Sequence, residues 1–264
     1  METKDYVKLI ARLNEGNPSP GGLGNLRAVL STIPKQGIND ILEIGVNTGI
    51  STIALGELFP EKRIVGIDIE PEMVDASKSN ISSATSDGLI LSKSIEIRVG
   101  DVEKLEFPNN SIDLIVSGGT LSFINDRKKA MQEIYRVLKP NGFFISLEYG
   151  YETLPSAEIS SPVSEILGFD VTETTVQYWT NLHLSENFSL DCIQVVKPLL
   201  YRSLNIDLLV ERIRRNRGGS SENDLKLYKE AFEVFKKNEP YANIVNLTLR
   251  KLVGVLGEVG SGAN

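Results

Sequence analysis

The sequence has little of the side-chain chemistry that builds covalent cross-links and metal centres. Its 264 residues include one cysteine, Cys192, and one histidine, His183. A single cysteine excludes an internal disulfide and a multi-cysteine zinc site. The chain lacks a run of about 18 apolar residues that could span a membrane, and its N-terminus lacks a basic-then-apolar signal pattern. We therefore expect a soluble, cytoplasmic protein with no metal and no membrane partner.

Basic residues are outnumbered, since 28 lysines and arginines face 35 aspartates and glutamates and the formal net charge is −7. Such a charge argues against general binding to the phosphate backbone of nucleic acids. The hydrophobic fraction of 41% and charged fraction of 24% are typical of a globular chain with a real core. The length predicts one large domain, residues 1–264, that includes an insertion.

Apolar strand patterns alternate with helical patterns through the first 150 residues. The pattern predicts strands at residues 41–44, 63–68, 94–99, 112–116 and 143–147, with helices at 51–58, 72–84 and 127–138 between them. Such alternation is typical of a parallel α/β sheet with helices on both faces, a Rossmann-like, doubly wound fold. Two further helical segments, 5–13 and 23–32, precede the first strand. They either cap a ligand cleft or only pack against the domain.

The regular alternation of strand and helix patterns ends after residue 150. Helical patterns at 155–168 and 175–187 lead to a strand at 188–196, a helical excursion over 199–241 and a last strand at 243–252. A last strand that follows a long excursion can insert antiparallel at the edge of a sheet. We therefore expect a seven-stranded, mostly parallel sheet with an antiparallel last strand and a helical insertion before it.

The first strand runs into a glycine-rich turn, Glu43-Ile44-Gly45-Val46-Asn47-Thr48-Gly49, that opens a helix. Glycines there let the backbone approach a ligand closely, and a helix N-terminus in an open α/β sheet favours nucleotide-like ligands. Asn47 is a residue type that tolerates the left-handed backbone of such a turn. The second strand closes on Asp68, whose carboxylate can accept both hydroxyls of a ribose. These two strand ends together predict a nucleoside site.

The order of these signals resembles that of class I S-adenosylmethionine-dependent methyltransferases. The turn at 43–49 resembles the family's first motif, with Asn47 in place of the middle glycine, and Asp68 resembles its ribose acid. Gly100-Asp101-Val102 resembles the third motif. The stretch Glu133 to Gly142 resembles the "E-I-x-R-V-L-K-P-G-G" segment of the small-molecule branch that includes ubiquinone and menaquinone methyltransferases. Pro20-Gly21-Gly22-Leu23 resembles a "P-G-G-L" found in some members. The resemblance covers residues 18 to 150.

This resemblance implies an enzyme that moves a methyl group from S-adenosylmethionine to an O, N or C atom of a small metabolite, leaving S-adenosylhomocysteine. It implies a core at 38–150, an N-terminal helical cap at 1–37 and a lid or acceptor-binding insertion at 199–241. It implies a monomer or homodimer that does not bind nucleic acid. The implied cofactor-binding residues are Glu43, Gly45, Val46, Asn47, Gly49, Asp68, Ile69, Met73, Asp101, Val102, Ser117 and Gly118.

Three residues are candidates for catalysis. Tyr149 and Tyr151 follow the fifth strand, at the sheet edge where a substrate would lie, although packing explains an aromatic pair there as well. His183 could act as a base because histidine titrates near neutrality, although a core position explains it equally well. Methyl transfer needs a base only when the nucleophile arrives protonated.

Other functions stay open beside the main one. The chain could methylate RNA or protein, could transfer an aminopropyl group as relatives of this fold do, or could bind the cofactor without turnover. A dinucleotide dehydrogenase is disfavoured, because its G-x-G-x-x-G fingerprint would need glycines where Asn47 and Ile50 stand.

Overall fold

Seven strands form one mixed sheet in a computed structural model of the chain, with the order β3-β2-β1-β4-β5-β7-β6. The structure describes residues 3–14, 19–91, 94–198, 204–216 and 221–252. The strands are β1 (Asp40–Ile44), β2 (Arg63–Asp68), β3 (Ile95–Val99), β4 (Ile112–Gly118), β5 (Leu138–Tyr151), β6 (Phe188–Val196) and β7 (Ala242–Lys251). Strands β1 to β5 pair in parallel, and β7 is antiparallel to β5 and β6. The predicted fold class and the antiparallel last strand are confirmed.

The described helices follow the strands as the sequence pattern predicts. They are α1 (Thr3–Leu13), α2 (Gly22–Leu30), α3 (Ile50–Leu58), α4 (Pro71–Ser86), α5 (Arg127–Val137), α6 (Ala157–Leu167), α7 (Val176–His183), α8 (Ile206–Asn216) and α9 (Glu222–Asn238). Local chemistry sets several of their ends. Pro71 occupies the first turn of α4, where its missing N–H costs nothing. Asp126 and Ser221 cap α5 and α9, because their side chains accept from backbone N–H groups of the first turn.

Helices cover both faces of the sheet. On one face, Leu42 and Ile44 of β1 belong to an apolar cluster shared with Ile134 of α5 and Trp179 of α7. Ile41 points to the other face, whose cluster includes residues of α2 and α3. Strand residues alternate between faces, so one short buried strand contributes to both cores. The crossover helices change face between β1 and β4, and this reversal places a crevice at the carboxyl ends of those strands.

The N-terminal helix joins the late helices in a separate apolar layer. Leu9 and Leu13 of α1 are fully buried against Val210 and Ile213 of α8 and Leu225 of α9. Tyr6 of α1 lies in a neighbouring cluster that includes residues of α6 and α9. Segments that are distant in sequence therefore meet at one end of the sheet.

The structure corrects three details of the sequence-based prediction. Strand β7 lies between β5 and β6 rather than at the edge, since it accepts ladder partners on both sides. Strand β5 begins at Leu138 rather than at residue 143, and its first part contains an irregularity with Asn141 at φ 63°. Helix α7 ends at His183 rather than near residue 187. Residues 1–2 and 15–18 of the 1–37 segment, and 199–203 and 217–220 of the 199–241 segment, lie outside the described residues.

No helix in the described ranges is long and apolar enough to cross a membrane.

Candidate active site

A cleft of about 760 Å³ opens at the carboxyl ends of the parallel strands. Its volume falls within the range of small-molecule sites in proteins. One part, which we call the strand-edge half, is lined by residues at the ends of β1 to β4, including Gly45, Asn47, Asp68, Asp101 and Gly119. The other part, the helical half, is lined by residues of α1, α6 and α9 and by the end of β5, including Tyr6, Tyr149, Phe169, Phe235 and Glu239.

The turn after β1 is held by its own backbone and by Asn47. Gly45 adopts φ 75° and Asn47 adopts φ 51°, which confirms the expected left-handed conformation at Asn47. The Asn47 side chain accepts a hydrogen bond from the N–H of Thr48 at 2.7 Å. The N–H of Gly45 donates to the carbonyl of Ile67 in β2 at 2.8 Å. An asparagine can therefore replace the motif glycine because its side chain is satisfied inside the turn.

Asp68 connects this turn to the end of β2. One oxygen of its carboxylate accepts from the Asn47 N–H at 2.9 Å, and the other accepts from the Glu70 N–H at 3.1 Å. Burial raises the pKa of Asp68, and these backbone hydrogen bonds act in the opposite direction. Each carboxylate oxygen has two lone pairs, so both can accept a second donor from the cleft. Asp68 is therefore oriented before any ligand arrives.

Glu43 lies beneath the turn and lines the cleft. Its side chain is 3% exposed and accepts from the Thr52 hydroxyl at 2.5 Å. Burial raises the pKa of Glu43 to about 8, with the nearby Asp68 carboxylate contributing in the same direction. Glu43 is therefore mostly protonated at neutral pH, and it can donate a hydrogen bond as well as accept one.

The ends of β3 and β4 complete the strand-edge half. Ile69, Asp101, Val102 and Gly118 line the cleft, as the sequence predicts. Asp101 is exposed, and its side chain accepts from the Glu103 N–H at 2.8 Å, which caps a short 3₁₀ helix at Val102–Lys104. Ile69 lines the cleft and is 60% exposed, so much of its apolar surface is accessible to a ligand. An apolar wall and an acceptor carboxylate thus lie close together.

A short segment after β4 is fixed in place by Arg127. The Arg127 guanidinium donates to the carbonyls of Leu121 and Ser122 and to the hydroxyl of Tyr178, all within 2.9 Å. These contacts hold the 3₁₀ helix at Thr120–Phe123 against the domain. The Thr120 hydroxyl in turn donates to the carbonyl of Ile44 at the end of β1, at 3.0 Å.

The segment before α2 also borders the cleft. Ser19 and Pro20 line it, and the hydroxyls of Ser19 and Ser51 lie 3.0 Å apart. The Gly21 N–H donates to the hydroxyl of Tyr149. The N-terminal segment therefore does reach the cleft, through Tyr6 of α1 as well as through residues 19 and 20.

The two candidate catalytic tyrosines both line the helical half. Tyr149 is 37% exposed, but burial around its hydroxyl raises its pKa to about 12. Tyr151 is buried and donates to the side-chain oxygen of Asn238 at 2.9 Å. Both phenols are neutral at physiological pH, so they act there as hydrogen-bonding groups rather than as ready bases.

Three of the expected cofactor-binding residues do not line the cleft. Gly49 caps α3 at φ 86° and faces Ser77 of α4. Met73 is 1% exposed on the buried side of α4. Ser117 is fully buried in the sheet, where it pairs with Ile44 and Ser146. Helix and strand periodicity turns the side chains of Met73 and Ser117 away from the ligand side.

The structure also corrects the placement of His183. Its ring is fully buried at the end of α7, stacked on Phe144 at 5.6 Å and packed edge-on against Trp179. Nδ1 donates to the Trp179 carbonyl at 2.7 Å. Burial lowers the pKa of His183 to about 4. The imidazole is thus a neutral core group away from the cleft.

This burial makes stability depend on pH on the acid side. The unfolded chain binds a proton at His183 near the ordinary pKa of 6.5, whereas the folded chain resists protonation down to about 4. The free energy of unfolding should therefore fall as pH drops from about 6.5 to 4, by about 3 kcal/mol from this group. His183→Asn keeps a donor for the Trp179 carbonyl and removes the titration.

Urea unfolding of both proteins between about pH 7 and pH 4 measures this contribution. His183 is the only histidine, so no other imidazole adds to it. We expect the stability difference between wild type and variant to shift in favour of the variant as pH falls. A difference that stays constant with pH would contradict the buried neutral imidazole.

Several cleft residues were missed at the level of sequence. Gly119 adjoins the predicted Gly118 and adopts φ 83°, so the glycine pair was a usable signal. Ser19, Thr120, Phe123 and Glu239 carried no local signal, because only folding brings their segments to the strand ends.

Comparison with known proteins adds the family. A family model described as a methyltransferase domain matches residues 42–146. An uncharacterized methyltransferase of Bacillus subtilis, YodH, is 25% identical over 75% of this chain and 89% of its own length. A demethylmenaquinone methyltransferase of Staphylococcus epidermidis is 32% identical over 48% of this chain, and the match spans half of that protein.

Solved structures share the fold. A phosphoethanolamine N-methyltransferase of Haemonchus contortus, solved with S-adenosylhomocysteine, has a TM-score of 0.71 at 20% identity, over 94% of this chain and 57% of that one. The turn after β1 and Asp68 at the end of β2 lie within the matched domain. Residues 42–146 therefore match a methyltransferase domain, and over this region the chain is similar to S-adenosylmethionine-dependent methyltransferases.

Proposed function

We propose that the protein transfers a methyl group from S-adenosylmethionine to an O, N or C atom of a small molecule. The observation that carries this proposal is the position of Asp68. Its carboxylate is fixed by two backbone donors beside a left-handed turn, inside a cleft that continues into a second half with different walls. One half suits a cofactor and the other an acceptor. The proposed core is 38–150, with the helical half supplied by the 1–37 and 199–241 segments and by α6.

The residues of the strand-edge half fit the cofactor. Asp68 has acceptor capacity for the two ribose hydroxyls, and Asp101 offers a carboxylate to the adenine amine. Ile69 and Val102 supply apolar surface for the adenine ring. Glu43 and the turn at Gly45 to Asn47 border the methionine side, and Gly118 lies towards the acceptor. Three residues that do not line the cleft support the turn and the strand ends by packing: Gly49, Met73 and Ser117.

The cofactor supplies a methyl group on a positive sulfur, which is already activated for displacement. The protein therefore mainly has to align the acceptor with that methyl group and to keep water out, and alignment alone can be worth about 7–11 kcal/mol. We assign this alignment to the helical half. Tyr149 and Tyr151 are hydrogen-bonding groups on its wall, and a base is needed only for an acceptor that arrives protonated.

The Asp68 assignment predicts a loss of cofactor affinity on truncation. In Asp68→Ala, two charge-assisted hydrogen bonds to the ribose disappear, and the Asn47 N–H loses its partner. We expect the Kd for S-adenosylhomocysteine to rise at least about tenfold, since such bonds contribute about 1.5–3 kcal/mol each. Isothermal titration calorimetry measures the change.

Asp75→Ala is a matched control, because Asp75 is an exposed acid on the outer side of α4. It should leave the Kd unchanged. Wild-type affinity in the Asp68→Ala protein would refute the ribose assignment, and a wild-type protein that binds neither S-adenosylmethionine nor S-adenosylhomocysteine would refute the proposed function.

A further inference from the structure

Aromatic side chains form much of the wall of the helical half. Phe123 and Phe169 meet edge to face with their ring centroids 5.3 Å apart, and Tyr6 and Phe235 meet in the same way at 5.3 Å. All four residues line the cleft, as does Tyr149. The rings come from α1, the segment after β4, the loop after α6, helix α9 and the end of β5. A ligand in this half therefore contacts π surface on several sides.

The same half contains a buried acid at the end of a helix. Glu239 directly follows the last residue of α9, lines the cleft and is 3% exposed. It is close enough to Tyr149 to act on the phenol electrostatically. Helix α9 has 17 residues, and its C-terminal end carries partial negative charge from its last carbonyls. Glu173 adds a second, exposed carboxylate to this part of the cleft.

A buried carboxylate, a helix C-terminus and ring faces all attract positive charge. Carboxylate–ammonium hydrogen bonds are also among the stronger ones, particularly where water is excluded. A carboxylate has about four acceptor positions, so it can accept a hydrogen bond from a ligand while it keeps contacts within the protein.

We propose that Glu239 is a specificity-determining residue, and that the methyl acceptor is an aromatic or apolar small molecule bearing a protonated nitrogen that Glu239 holds. This inference rests on the proposed function, because it takes the strand-edge half as the cofactor site. It concerns recognition: the nitrogen anchors the acceptor, and the methylated atom is the one that faces the strand-edge half.

Three probes of similar shape and different charge test the inference. Phenethylamine is a cation, phenethyl alcohol is neutral and phenylacetate is an anion. Their binding to the wild-type protein saturated with S-adenosylhomocysteine is measured by calorimetry. We expect phenethylamine to bind at least about tenfold more tightly than phenylacetate, with the alcohol between them. In Glu239→Gln, the ratio of the affinity for phenethylamine to the affinity for phenylacetate should fall at least about fivefold.

Glu233→Gln removes the same charge from an exposed position on the same helix, outside the cleft, and should leave the ratio unchanged. The affinity of each variant for S-adenosylhomocysteine reports whether its cleft is intact. A wild-type protein that binds S-adenosylhomocysteine but prefers phenylacetate, or does not distinguish the probes, overturns the inference alone. An unchanged ratio in a Glu239→Gln protein with normal S-adenosylhomocysteine affinity overturns it as well. Failure of the wild type to bind S-adenosylhomocysteine instead counts against the proposed function.

Discussion

Gly45→Ala is expected to destabilise the protein by about 2–4 kcal/mol and to weaken binding of S-adenosylhomocysteine at least about tenfold. A Cβ at this position would lie 1.9 Å from the hydroxyl oxygen of Thr120 and 2.8 Å from its Cβ. The residue also sits at φ 75°, where an L side chain is strained by about 1 kcal/mol. The clash adds about 1–3 kcal/mol, because a side chain tied to the end of β1 cannot simply rotate away.

The loss of affinity follows from the direction in which the clash is relieved. Thr120 is held by its bond to Ile44 and by the Arg127 network, so the turn itself has to move. The Asn47 N–H moves with it, and this N–H orients Asp68. Urea unfolding measures the stability, and calorimetry measures the affinity.

Gly88→Ala separates backbone strain from the clash. Gly88 adopts φ 73°, but a Cβ there would meet no atom within 4 Å. Gly88→Ala should lower the free energy of unfolding only by the backbone strain, about 1 kcal/mol, and should leave the affinity for S-adenosylhomocysteine unchanged. Equal effects of the two substitutions on stability and affinity would show that the turn is not constrained by Thr120.

Glu148→Gln is expected to reduce the loss of stability that occurs as pH rises from about 4.5 to about 8. Glu148 is fully buried in β5, and burial raises the pKa of its carboxyl to about 8. Hydroxyls of Ser146 and Ser122 lie 3.0 and 3.4 Å from its two oxygens. The unfolded chain ionises near pH 4.5, so the folded state retains a proton that the unfolded state has lost. Stability therefore falls as pH rises from 4.5 to about 8.

Between about pH 6 and pH 9, Glu148 alone should lower the free energy of unfolding by about 3 kcal/mol. Glutamine has nearly the same shape and cannot ionise, so the variant should lose this part of the pH dependence. The difference in free energy of unfolding between variant and wild type should therefore shift in favour of the variant as pH rises. Glu43, whose pKa is also raised to about 8, keeps its own contribution in both proteins.

Unfolding curves of both proteins across this pH range provide the measurement. Glu152→Gln serves as the control, because Glu152 follows the same strand but is exposed. It should leave the slope as it is in wild type. A Glu148→Gln protein whose slope equals that of wild type would mean that the buried carboxyl does not retain its proton.

The sequence by itself determined the parts of this protein that depend on neighbouring residues. Apolar runs of four to six residues predict the parallel strands because both faces of such a sheet are covered. The turn at Gly45 to Asn47 and the acid at Asp68 could be located because a strand end, a glycine and a helix start follow one another in the chain. Family resemblance then linked these positions to one cofactor.

Only the tertiary structure decided which side chains face the ligand. Tyr149 and Glu148 are adjacent, and strand alternation puts them on opposite sides, but the sequence does not say which side is the core. The same uncertainty misplaced Ser117, and helix geometry misplaced Met73 and His183.

The helical half is the part of the cleft that the sequence alone predicts least well. Tyr6, Phe169, Phe235 and Glu239 come from segments spread over more than two hundred residues and meet only when α1, α6 and α9 pack together. Local patterns set the elements and the cofactor turn, because they arise from interactions between near neighbours. The acceptor wall arises from long-range packing, so its chemistry emerges only when the chain is folded.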